Sequence, residues 1–521
     1  MEQHRPGGAG GGHLPDPGRR FRPERLQRCG EEQVVPYRHH AGADPRLSLE
    51  AVHSRELVLE SRDVHPGSNL MATDKALLKE DGILGPILRM GIPSMIGFLS
   101  LNIYDLTDMF WVSRLGADRI AAITLFQSFH WVINSANQVI GTGSVAVISR
   151  RYGAGDTART EASIKETLLL KAVSGLLFGL LGFIFLPFIM ELIGAEGNVL
   201  PMSVQYGRIM LAGLAVTFCT FSLYTALRSV GNPKLSMLLM LGGTALNMAL
   251  DPFFIFGWGP FPELGLVGAA VASVTSHVLV VVAGIALLYG GAANVRLHLS
   301  GEEPLSWSSM RRILSISLPS AVNSVSWSMA RLVIMPFIAA FGTGVVAAYG
   351  MANRVVALGI LLVVGLGLGV ASLIGQILGA NLTERARRTA ALALRTAAGI
   401  NVVFALIVGA LAAQIAGIFL HDPQVRAVGA EILRIQAFSF PFFAAFIMME
   451  EIYSGAGDTV PPMIFGILLD WILMVPIIIL GTRWWGFGPT AVWWTITLSV
   501  VAATIAFYIH YRRGTWLRRR V

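Results

Sequence analysis

Residues 87–154 read ILRMGIPSMIGFLSLNIYDLTDMFWVSRLGADRIAAITLFQSFHWVINSANQVIGTGSVAVISRRYGA, and 226 residues later, at 313–380, the chain reads ILSISLPSAVNSVSWSMARLVIMPFIAAFGTGVVAAYGMANRVVALGILLVVGLGLGVASLIGQILGA. Laid over one another without a gap, the two stretches agree at 15 of 68 positions, where composition alone would give roughly half that or fewer. The agreement falls on residues that close packing demands: Pro93 with Pro319, Ser94 with Ser320, Gly116 with Gly342, Gly141 and Gly143 with Gly367 and Gly369, and Gly153 with Gly379. The same offset later pairs Gly231 with Gly457. A repeat of this length implies that the fold is built from two copies of one unit.

The unit is a membrane unit. The chain is 54% hydrophobic and only 14% charged, with a mean hydropathy of +0.61, more apolar surface than a soluble domain can hide. Only helices and closed barrels satisfy every backbone group in hydrocarbon, and the apolar runs here are about 20 residues or longer, which selects helices over barrel strands. From residue 84 on, twelve spans are expected, near 84–113, 119–148, 163–190, 203–228, 234–258, 266–291, 310–340, 345–376, 386–416, 428–454, 460–482 and 487–510. Six spans per repeat is an even number, so both halves enter the membrane from the same side and are related by an axis along its normal. The expected fold is therefore an all-α polytopic membrane protein with two six-helix lobes facing each other across a cleft that can open to either side in turn.

The boundaries that follow are residues 76–291 for the first lobe, 292–309 for a polar linker, 310–512 for the second lobe and 513–521 for a basic tail. Residues 1–75, rich in Gly, Pro, Arg and His, are expected to be a disordered cytosolic tail, with Met71 as an alternative start of translation. Seventeen basic residues between Arg150 and Arg520 fall in the even-side loops and the C-terminal tail, against Arg114, Arg119, Arg426 and Arg483 on the other side. By the positive-inside rule both termini are then cytoplasmic. The same topology accounts for the net charge of +8 without a nucleic-acid partner. Cys29 and Cys219, the two cysteines, make neither a disulfide framework nor a zinc-ligand spacing.

Packing residues should recur in both halves, whereas a chemical site needs to exist once, so unmatched polar residues carry the function. In the first span Asn102, Asp105 and Asp108 recur every three residues, against Ser328, Arg331 and Ile334 in the repeat. In the second, His130, Asn134, Asn137 and Gln138 face Val356, Ile360, Val363 and Val364. By this comparison the first half holds the polar interior. Asn247 and Asp251 lie one helical turn apart in the fifth span, and Pro252 frees a backbone carbonyl one turn back. Gln127, Arg331 and Asn353 are further candidates for the cleft. A charged Asp at the bilayer centre costs about 3 kcal/mol on insertion scales, so acids at this depth need a task. A shared proton and an oxygen cage for Na⁺ are both compatible with two carboxylates and Asn247. Either ion enters the cell down its gradient, and no other cofactor is expected.

Three stretches carry a resemblance: DMFWVSRLGADRIAA at 108–122, NMALDPFFIFGWGPFPELGLVGAAVAS at 247–273, and GAGDTVPPM at 455–463. Together they resemble the multidrug and toxic compound extrusion (MATE) family over about 84–512. The resemblance implies twelve helices in two lobes and efflux of small, often cationic organic compounds, driven by H⁺ or Na⁺. Its cation site falls on Asp108, Asn247, Asp251 and Ser273, the last where relatives commonly have Thr. Asp105 stands where relatives often have Asn, and the seventh span carries Arg331 in place of the acid of one bacterial branch, so no second cation site is expected there. The implied protein is a monomer of the bacterial inner membrane. A flippase for lipid-linked oligosaccharide is the alternative, although it calls for more basic residues in the cleft. No HExxH, nucleophile elbow or paired metal ligands point to an enzyme.

Overall fold

The structure is a computed structural model, and its described residues are 82–298 and 303–519, without the side chains of residues 131, 134–136, 138 and 139. The segment expected to be a tail, with Met71, and the last two tail residues lie outside them.

Each half opens with a long helix. In the first half α1 (Leu84–Ser113), α2 (Ala117–Gly153) and α3 (Thr157–Leu192) are followed by α4 (Val199–Ala212), α5 (Leu214–Ser229), α6 (Pro233–Phe256) and α7 (Leu266–Tyr289). The second half repeats the plan as α8 (Trp307–Ala339), α9 (Thr343–Gly379), α10 (Thr383–Ala410), α11 (Ala412–Phe419), α12 (Pro423–Ala437), α13 (Phe440–Ala456), α14 (Val460–Ile467), α15 (Val475–Trp484) and α16 (Pro489–Arg512). Among the described residues nine helices are long and apolar enough to cross a membrane, and two bent pairs raise this to eleven. α2 is 37 residues long but is not among them, because its stripe of Gln, His and Asn lowers its hydropathy.

Local sequence sets the helix ends. Asp156 accepts a hydrogen bond from the Arg159 amide at the start of α3, and Asn232 does so from Leu235 with Pro233 in the first turn of α6, the usual chemistry of an N-terminus. The repeat-matched glycines explain themselves at the turns. Gly116 and Gly342 hold φ of 111° and 103° before α2 and α9, and Gly231 and Gly457 hold 78° and 76°, a region that side chains with a Cβ rarely enter.

Three expected spans are not straight α-helices. The fourth breaks at Gly213 and the tenth at Phe438–Ser439, each by 52°. The eleventh contains a π-helical turn, Leu468–Met474, just before Pro476, whose missing N–H cannot support a regular α-helix.

Each lobe has its own apolar core. One cluster in the first lobe packs Phe126, Tyr206, Phe218 and Ile255, and one in the second packs Ile334, Tyr349, Trp493 and Ile496. The lobes meet where α1 packs on α9 and α8 on α2. Glycine makes this seam. A Cβ added at Gly143 would meet the Ile313 carbonyl and Ser317, at Gly153 the Gln376 carbonyl, and at Gly379 the Arg150 carbonyl. The Gly143 amide donates to Ser317 Oγ at 2.7 Å, and Gln376 Nε2 donates to the Ser229 carbonyl at 2.9 Å. These approaches fall at the helix ends that carry Arg150, Arg151, Arg311 and Arg312. Toward their other ends α1 and α8 leave Ile103, Leu106, Phe110, Met329 and Leu332 exposed.

Candidate functional site

The first lobe buries Asp108 (4% exposed), Asn247 and Asp251 (both 0%) and Ser273 (1%). They come from α1, α6 and α7, and α1 and α7 both pack on α6. Asn247 Nδ2 donates to Asp251 Oδ1 at 3.2 Å, as residues one helical turn apart can. Asp108 and Asp251 lie within electrostatic reach of each other, and Tyr206 from α4 faces the Asp108 carboxylate. Thr244 Oγ1 donates to the Ser100 carbonyl at 3.2 Å, pinning α6 to α1 just below.

What singles out this pocket is what stays unsatisfied. Among the described residues, Asp108 Oδ1, Asp251 Oδ2 and Asn247 Oδ1 are buried without a hydrogen-bond partner, and the buried Ser273 and Tyr104 hydroxyls lie beside them within reach of one another. Each such group costs about 1–3 kcal/mol when left unmade, more if charged. Three such oxygens with two hydroxyls beside them make a donor set that suits a hard cation or a proton: carboxylate, amide and hydroxyl. Among the described residues no group of three His, Cys, Asp or Glu could hold a metal ion, so a metal here would need the amide and hydroxyl oxygens as well.

Of the accessory candidates, Asp105 and Asn102 are exposed, and Asn102 Nδ2 donates to the Phe98 carbonyl of its own helix at 3.1 Å. A three-residue step falls short of a full α-helical turn by about 60°. From 102 to 108 the side chains therefore swing from the surface into the lobe and do not share one face. His130 packs against the Phe126 ring at 5.7 Å with Nδ1 unpartnered. The side chains of Asn134 and Gln138 lie outside the described residues, and Gln127 and Asn353 are half-buried.

Two features escape the repeat comparison. Lys171, 2% exposed on α3, donates to both the backbone carbonyl and the side-chain oxygen of Asn137 and stands 5.7 Å from the Phe218 ring. Its neighbours in sequence form an ordinary apolar run, so only its depth marks it. Replacing it with Met is expected to cost about 1–3 kcal/mol, because two acceptors lose a charged donor, and a lowered Tm of the purified protein in detergent would register this.

The second feature corrects the view that the polar interior belongs to the first half. α13 brings half-buried Glu450 and Glu451, and the π turn brings Asp470, 2% exposed, into the second lobe. Asn323 Nδ2 donates to Glu450 Oε1 at 2.7 Å, Arg331 is in electrostatic reach of Asp470, and Arg228 from the first lobe is in reach of Glu451. Two glycines could have signalled this, for a Cβ at Gly466 would strike Asn323 and one at Gly367 would strike Glu451.

Comparison with known proteins converges on one family. The MatE family model matches residues 93–253 and again 319–480, two matches that begin one repeat offset apart. The chain is 27% identical over 347 residues to the FAD transporter of Shewanella oneidensis, covering 65% of this chain and 75% of the relative. It is 26% identical over 437 residues to the multidrug export protein MepA of Staphylococcus haemolyticus, covering 83% and 94%. A crystal structure described as MATE in the bent conformation superposes with a TM-score of 0.78 at 25% identity, covering 86% of this chain and 97% of that one.

Proposed function

The chain belongs to the MatE family, and from that premise we propose that it is a secondary active exporter of small organic compounds, driven by entry of H⁺ or Na⁺. The observation that carries the reading is the group of buried oxygens, Asp108 Oδ1, Asp251 Oδ2 and Asn247 Oδ1, that have no hydrogen-bond partner among the described residues. A cation arriving there satisfies Asp108 Oδ1, Asp251 Oδ2 and Asn247 Oδ1, with Ser273 and the Tyr104 hydroxyl as neutral partners. Its charge relieves the repulsion between two carboxylates that face each other.

Coupling needs only that the loaded and empty lobes prefer different cleft geometries. The glycine seam closes the lobes at the arginine-bearing end, and the second geometry the scheme needs is one in which they part there. With that end in the cytoplasm, as the basic residues favour, the seam is the inner gate, and the cell's plasma membrane is the setting. The inward ion moves with the membrane potential, worth about 2.3 kcal/mol per charge per 100 mV. The driving ion is the only cofactor this scheme uses, and one chain contains both lobes.

Efflux of ethidium from cells expressing the chain tests this. Collapse of one gradient, proton or sodium, is expected to stop efflux, and collapse of the other to leave it running. Efflux that survives the loss of both gradients would refute the reading, and transfer of lipid-linked sugars would then be the assay to run.

A further inference from the structure

The second lobe carries a surface that the cation site does not use. Along one side of α8, Asn323, Ser326, Trp327 and Arg331 recur at helical spacing and meet Glu450 on α13 and Asp470 and Trp471 on the π turn. A face this rich in charge is expensive against lipid, so it lines the interior of the transporter. Arg331 places its guanidinium 4.6 Å over the Trp327 ring. It forms neither a hydrogen bond nor an ion pair within 4.0 Å among the described residues, and its Nε is buried without a partner. Asp470 acts on it only from a distance. Both flanking indoles remain accessible, Trp327 at 40% and Trp471 at 36%, and Trp471 is fixed in place by Nε1 donating to Ser326 Oγ at 2.9 Å.

The geometry points to a subsite for planar aromatic compounds that carry an anionic group, a carboxylate or a phosphate: the guanidinium fork takes the anion while the indoles take the ring. Arginine matches the two oxygens of such a group with parallel N–H donors, and an indole already under a guanidinium offers its open face to a second π system. A rotated Trp side chain would not serve, and the Ser326 bond prevents that rotation for Trp471. The repeat partner of Arg331 is Asp105, exposed on α1. The two lobes thus present opposite charges at equivalent positions, a pattern suited to compounds that are anionic at one end and neutral or cationic at the other. This inference rests on the exporter reading and names a substrate class for it.

The test uses the full-length chain in detergent and in proteoliposomes, with three probes: flavin mononucleotide, riboflavin, which has the same ring without the phosphate, and ethidium. Quenching of tryptophan fluorescence is expected to give a Kd for flavin mononucleotide about tenfold or more below that for riboflavin, the range of one charge-assisted bidentate contact. In Arg331→Gln that ratio should collapse toward one, while affinity for ethidium rises as a repelling charge is removed. Arg331→Lys keeps the charge and guards against misfolding; it should retain part of the ratio, since an ammonium cannot form the fork. Equal binding of the two flavins by the unaltered chain, or an unchanged ratio in Arg331→Gln, would overturn the subsite. Gradient-driven ethidium transport without flavin discrimination would sink the subsite and leave the exporter standing. Flavin discrimination without gradient-driven transport of any probe would do the reverse.

Discussion

Asp108→Asn and Asp251→Asn are each expected to lower gradient-driven efflux by about a hundredfold while leaving the amount of folded protein in the membrane unchanged. Asparagine keeps the size and the ability to accept a hydrogen bond, so the packing of two side chains that are 4% and 0% exposed survives. What disappears is the charge. A coupling free energy of about 3 kcal/mol corresponds to a factor of about 100, and here both ion binding and its release must sense the same two carboxylates. The mutants should also differ from each other. Asp251 is held by Asn247 at 3.2 Å, so Asp251→Asn leaves a contact behind that can rearrange, while Asp108→Asn alters the contact with Tyr206 and removes the charge that faces Asp251. Initial efflux rates normalised to protein in membranes settle the matter, and either variant transporting at the unaltered rate would remove that carboxylate from the coupling site.

The second large effect lies at the seam. Gly153→Val and Gly379→Val each put a side chain onto a backbone carbonyl of the opposite lobe, and backbone cannot move aside as a flexible side chain could. Overpacking of this kind costs about 1–3 kcal/mol, and here it falls on one conformation alone, since parted lobes have room for valine. The expected result is a shift of roughly 10- to 100-fold toward chains open at the arginine-bearing end, with export lost and each lobe still folded around its own core. A cysteine placed at Ser317, in a chain whose Cys29 and Cys219 are replaced, reports it. The thiol should be slow to label in the parent and fast in the valine variants. Slow labelling in both, with export intact, would mean that the seam gives way locally and is not a gate.

Much of the architecture was legible because a membrane removes choices. Long apolar runs had to be helices, and the repeat could be followed because its matched residues are glycines and prolines whose backbone geometry admits few substitutes. The site in the first lobe was legible for a related reason: Asp108, Asn247 and Asp251 break an apolar pattern where their repeat partners do not. The breaks at Gly213 and Phe438–Ser439 and the π turn at Leu468–Met474 were not legible, because hydropathy reports that a segment crosses the membrane but not the path it takes. Asp470 was missed because the ungapped repeat ends before it, and Glu450 and Glu451 were legible only as half-wet structural acids near the end of the tenth span, without the Asn323 contact that draws Glu450 into the lobe. Asn102 and Asp105 do not share the buried face of Asp108, because three-residue steps drift around a helix.

The glycine seam has a bearing on ancestry. Gly143 and Gly153 in one half correspond to Gly369 and Gly379 in the other, and both pairs lie in the same interface. A six-helix chain carrying one such set already has a surface complementary to a twin related by a two-fold axis, the arrangement of an isologous dimer. Joining the two genes would have required no new interface. It would have freed each copy to change where the other did not, which is how an aspartate and an arginine can occupy the same place in two halves of one molecule.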